Sequence, residues 1–135
     1  MKILVDTCVW SHALRHKSPD KKIMKILAEL VQDNRVVIIG PVRQELLSGI
    51  SDRQQYNVLS EKLSCFEDLQ LISEHFIKAA EFCNICRTKG IQGANTDFLI
   101  CAVAYLANIQ IFTIDKDFLN YQKCIPVSLY NTGKI

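Results

Sequence analysis

The chain has 135 residues, 49% of them hydrophobic, with 16 Lys+Arg against 14 Asp+Glu for a formal charge of +2. That length holds one domain with a substantial core, residues 1–135, and is too short for two ordinary ones. The basic residues are dispersed, so net charge alone indicates no nucleic-acid partner, and the longest apolar stretch, Phe98 to Ala107, falls well short of the roughly 20 residues of a membrane-spanning helix.

Six cysteines could frame disulfides in a secreted chain, but Asp6 interrupts the N-terminal apolar stretch before it can act as a signal region. The expected compartment is the reducing cytosol, where the thiols stay free. The first element is Ile3-Leu4-Val5, a run suited to a buried strand that stops at Asp6 and Thr7. Asp and Thr both favour a helix N-cap, where a side-chain oxygen accepts from a free backbone N–H.

Ser18-Pro19-Asp20 reads as a cap followed by proline in the first helical turn, and Ile23, Ile26, Leu27, Leu30 and Val31 recur at helical spacing. The pattern predicts a helix from Pro19 to Asp33. Val36 to Ile39, β-branched and bounded by Gly40-Pro41, predicts a second buried strand. VRQELLSGI has helical character with a C-cap at Gly49, and a more polar helix follows from Asp52 to Ser64. Leu69 to Ser73 reads as a third, weaker strand.

Phe76, Ala79, Ala80, Cys83 and Cys86 mark one face of a helix that ends near Lys89-Gly90. GANTDFLICAVAYLA begins another, with Asn95 or Thr96 as its cap and Asp97 in its first turn. Ile109 to Thr113 is a fourth strand running into IDKDF, and a last short strand covers Ile125 to Leu129. Strands alternating with helices imply an α/β fold, a three-layer α/β/α arrangement around a parallel sheet of four to five strands with right-handed crossovers.

On that scheme Asp6 ends the first strand, Glu45 lies on the helix after the second, Asp97 starts a late helix, and Asp115 ends the fourth strand with Asp117 close behind. In an open parallel sheet ligands occupy the crevice beyond the strands' carboxyl ends, so these acids fall near one edge. Singly, each reads as a cap, a solvated helix residue or a turn former. Jointly, clustered carboxylates repel one another unless a cation neutralises them. Mg²⁺ or Mn²⁺ suits an all-oxygen set, and one or two such ions would support phosphodiester hydrolysis.

The chain resembles the PIN-domain ribonucleases, and within that family the small VapC-type toxins of toxin–antitoxin pairs. The resemblance rests on ILVDTCVW, GPVRQELLSGI, GANTDFLICAVA and IFTIDKDF, four segments in the family's order and spacing over nearly the whole chain. It implies metal-binding, catalytic acids at Asp6, Glu45, Asp97 and Asp115, with Thr7 and Thr113 as hydroxyls beside the site and Asp117 as an additional acid. It further implies Mg²⁺ or Mn²⁺ dependence, an RNA substrate, a homodimer and an antitoxin that occludes the active groove. Cys8 stands where a serine commonly follows Asp-Thr.

Other signals carry less. Cys83 and Cys86 have redox-motif spacing but lie inside a helical pattern, which suits core cysteines. Cys8 and Arg15 lack the intervening glycines of a phosphate cradle. A phosphotransferase of the haloacid-dehalogenase type wants a second Asp where Cys8 stands. His12 and His16 share helical i, i+4 spacing without a third ligand nearby, which suits solvated or RNA-facing roles. Phosphate contacts are expected from Arg15, His16, Lys17, Arg43 and Lys116, and the expected target is single-stranded or looped RNA. Nothing supplies the clamp a flap-type DNA nuclease needs. The reading from a different class is a catalytically silent PIN-fold RNA-binding or scaffold protein.

Overall fold

The structure, a computed structural model, describes residues 1–131. Its centre is β1 (Ile3–Val5), whose three aliphatic side chains are completely buried. Strand β1 pairs in parallel with β2 (Val36–Val37) on one side and β3 (Gln110–Phe112) on the other, giving the order β2-β1-β3. The register sets Val5 beside Phe112, and the Asp6 N–H continues the ladder by donating to the Phe112 carbonyl at 2.9 Å. Asp6 therefore leaves the sheet alongside Thr113.

Seven helices complete the described residues: α1 (Thr7–Arg15), α2 (Lys21–Gln32), α3 (Gly40–Leu47), α4 (Arg53–Leu63), α5 (Ser73–Thr88), α6 (Asn95–Ala107) and α7 (Asp117–Gln122). Helix α6 is apolar almost all round, and Phe98 through Ala104 are all buried, as befits a helix covered on every side. Helix α5 ends where expected, because Gly90 takes the left-handed φ of 77° and lets Ile91 N–H reach the Cys86 carbonyl at 2.9 Å.

The sheet is narrower than the four to five strands expected from sequence. Leu69 to Ser73 forms no strand: only Asp68 bridges Ile38, and Ser73 already opens α5. At the other edge Leu129 makes a single parallel bridge to Ile111, and Pro126, which has no N–H, interrupts the segment before it. Both segments therefore touch the sheet at one point each.

Two caps also differ. Helix α2 starts after Asp20, whose Oδ1 accepts from Lys22 N at 2.8 Å and Ile23 N at 3.2 Å, so Asp20 and not Ser18 is the cap. Helix α6 begins after Ala94, with no side-chain cap, which places Asn95 and Thr96 inside the first turn with Asp97.

Since Leu4 lies fully buried between both neighbouring strands, Leu4→Ala should cost about 2–5 kcal/mol. Urea unfolding checks this: the midpoint should fall while the slope stays constant.

Candidate functional site

The strands' carboxyl ends gather the acids. Asp6 directly follows β1, its N–H bonded to the Phe112 carbonyl, and is the N-cap of α1, and only 4% of it is exposed. A carboxylate so placed requires donors. Its Oδ1 accepts from Thr7 N at 2.7 Å; its Oδ2 accepts from Thr113 Oγ1 at 2.8 Å and from Cys8 Sγ at 3.1 Å. Burial nevertheless pushes the carboxyl above the usual carboxylate range, and the charge of Asp115 adds to the effect.

Thr113 links strand end to strand end, since its hydroxyl oxygen also accepts from Asp115 N at 3.0 Å. Asp115 in turn accepts at Oδ1 from Asp117 N at 2.9 Å, a turn that fixes its carboxylate while the Asp117 side chain stays exposed. Thr7 donates to Glu45 Oε1 at 3.0 Å, which joins the start of α1 to the exposed acid on α3. Cys8 occupies the same cluster, 3.4 Å from Thr113 Oγ1, and its thiol is pushed up to about 12 mainly by burial. So protonated a thiol is a hydrogen-bond donor, not a nucleophile.

Asp97 receives its bond from a residue with no signal in the local sequence. Tyr121 OH, on α7, donates to Asp97 Oδ2 at 2.7 Å, a contact between positions 24 apart. The Asp97 carboxyl is raised to about 6, first by burial and then by the charges of Asp6, Asp115 and Glu45.

The basic candidates divide. Arg15 and Lys116 are exposed, Arg15 at the end of α1 and Lys116 at the start of α7. Arg43, by contrast, spends its guanidinium inside the fold, bonding Asp68 Oδ1 at 3.0 Å and the Leu63 carbonyl at 2.8 Å, with Phe66 O as a third acceptor. That scaffolding use occupies the donors that a phosphate contact would need. The two histidines tie the loop between α1 and α2: His12 Nε2 accepts from Asp20 N at 2.8 Å and His16 Nδ1 from Ser18 N at 3.0 Å.

A family model described as the PIN domain matches residues 3–123. The chain belongs to the PIN-domain family. Several solved structures share its fold. FitAcB from Neisseria gonorrhoeae is 24% identical, with a TM-score of 0.77 over 96% of this chain and 97% of that one. VapBC2 from Rickettsia felis, solved bound to a DNA fragment from its promoter, is 19% identical, with a TM-score of 0.79 over 96% and 98%. A toxin–antitoxin complex from Klebsiella pneumoniae is 17% identical, with a TM-score of 0.70 over 99% and 100%. No curated protein sequence matches the chain.

The acids of this PIN domain suit a hard divalent cation in donor chemistry: carboxylate oxygens flanked by threonine hydroxyls, with the Arg43–Asp68 and Lys78–Glu81 ion pairs using other acids. As they stand, no three His, Cys, Asp or Glu side chains among the described residues converge on one point where an ion could sit. Among the described residues no helix is long and apolar enough to cross a membrane.

The raised Asp97 carboxyl has a sign in stability. Between pH 3.8 and about 6 the folded PIN domain holds a proton that the unfolded chain releases, so its contribution is present at low pH and lost as pH rises through that window. In EDTA, the wild type should melt close to Asp97→Asn at pH 5 and below it at pH 7.5. Parallel melting curves at both pH values would show otherwise.

Proposed function

We propose that this PIN domain, spanning residues 1–135, is a metal-dependent endoribonuclease in which Asp6, Glu45, Asp97 and Asp115 hold one or two Mg²⁺ or Mn²⁺ ions. The observation carrying the reading is the gathering of four acids at one sheet edge: Thr113 bonds both Asp6 and the Asp115 amide, Thr7 bonds Glu45, and Asp97, held by Tyr121, feels the charges of the other three. A fold gains nothing from such repulsion by itself, and a cation reverses its sign. Each such ion, when bound, supplies positive charge beside the scissile phosphate and makes a neighbouring water more acidic.

The chain's own residues would do the rest. Asp6 is held in one orientation by Thr113 and Cys8, and Thr7 steadies Glu45. Exposed Arg15 and Lys116 attract the RNA backbone, and Asp117 adds an outer acid near Asp115. The target is single-stranded or looped RNA. The solved structures with this fold include a toxin–antitoxin complex, which supports a reading as the toxin of such a pair, cytoplasmic and homodimeric, with an antitoxin covering the groove.

The test is cleavage of a mixed RNA pool by wild type and Asp97→Asn in Mg²⁺, in Mn²⁺ and in EDTA. Wild type should release discrete fragments only with metal, and Asp97→Asn, nearly isosteric, should lose more than about 100-fold, beyond the 10–100-fold typical of residues that merely support a ligand. Equal cleavage by both proteins would remove Asp97 from the site. Silence of a correctly folded wild type under all conditions would leave the RNA-binding or scaffold reading ahead.

A further inference from the structure

Tyr121 is completely buried, yet its hydroxyl reaches the half-buried Asp97 at 2.7 Å. The phenol is fixed on several sides. The ring of Phe98 lies 5.0 Å away and that of Phe118 lies 5.1 Å away, edge-on. Gly93 closes a further side: a Cβ there would fall 2.8 Å from Tyr121 Cζ and 2.9 Å from Cε1, and nearer still to the hydroxyl oxygen. Only a residue without a side chain admits the tyrosine in this position.

The same short helix supports a second acid. At the start of α7 the Asp117 N–H donates to Asp115 Oδ1, and one turn later Tyr121 donates to Asp97. A carboxylate bonded at one oxygen by a buried, immobile donor loses its freedom to rotate, and its other oxygen acquires a set direction.

We propose that Tyr121 is a positioning residue of the metal site: by binding Asp97 Oδ2 it restrains the carboxylate and leaves Oδ1 as the oxygen that would take a divalent cation, and Gly93 keeps open the space that the hydroxyl occupies. The inference rests on the metal-site reading above and extends it beyond the acids. Tyr121→Phe removes one oxygen atom and retains the ring that packs on Phe98 and Phe118. Gly93→Ala retains the phenol and displaces its hydroxyl.

The test is binding of Mn²⁺ alone to EDTA-stripped protein, read from the loss of the free-ion electron paramagnetic resonance signal, with melting temperature in EDTA recorded in parallel. Tyr121→Phe should raise the apparent Mn²⁺ dissociation constant about 10–100-fold while the EDTA melting temperature stays near that of wild type. A merely structural tyrosine would move the second quantity and not the first. Asp97→Asn should weaken binding further. Wild-type affinity in Tyr121→Phe, alongside weakened binding in Asp97→Asn, overturns the positioning role and leaves the metal site standing. Absence of Mn²⁺ binding by the wild type overturns both. Should Tyr121→Phe fail to fold, Gly93→Ala decides: weakened binding supports the role and wild-type affinity refutes it.

Discussion

Asp6 carries a carboxyl group to the end of the most buried strand in the molecule, where water can no longer solvate it. The neighbours of that carboxyl follow from this one placement. Thr113, Cys8 and the Thr7 amide supply the hydrogen bonds that water would have made, and they come from the strand and helix that the parallel register sets beside it. Removing the donors would leave a buried acid unsatisfied; removing the acid would leave Thr113 and Cys8 facing each other over a gap. The edge is a connected polar network, and such networks fix geometry when every member is bonded.

The network gathers charge of a single sign. Parallel topology brings Asp6 and Asp115 to neighbouring strand ends, the Thr7 hydroxyl draws in Glu45, and Tyr121 holds Asp97. Each acid has a neutral donor beside it, which orients a carboxylate without cancelling its charge. The field that remains is the one a divalent cation would relieve, and exposed Arg15 and Lys116 lie on elements adjoining it.

Much of this was legible in the sequence, for physical reasons. The aliphatic runs before Asp6 and Thr113 formed strands β1 and β3 as their composition suggests, whereas the run from Val36 to Ile39 pairs as a strand only at half-buried Val36–Val37 and adds a single bridge at Ile38; acids just past parallel strand ends fall near one edge. What stayed hidden depends on distant partners. Arg43 reads as a free cation near the acids until Asp68, 25 positions on, takes its guanidinium. Helix α7 has six residues, too few for a periodic pattern to emerge, and Tyr121 therefore gave no sign of its bond to Asp97. The edge segments misled because a hydrophobic stretch such as Leu69–Ile72 looks the same whether it pairs along its length or, as here, touches the sheet only through a neighbouring bridge at Asp68.

Whether this edge takes up a cation decides the role of its acids. A crystal of the protein soaked in Mn²⁺, with anomalous diffraction recorded at the manganese absorption edge, examines that directly. An anomalous peak bounded by oxygens of Asp6, Glu45, Asp97 or Asp115 is expected. A well-ordered site with no such peak, or manganese bound only at other acids, would contradict a metal-holding role for these four.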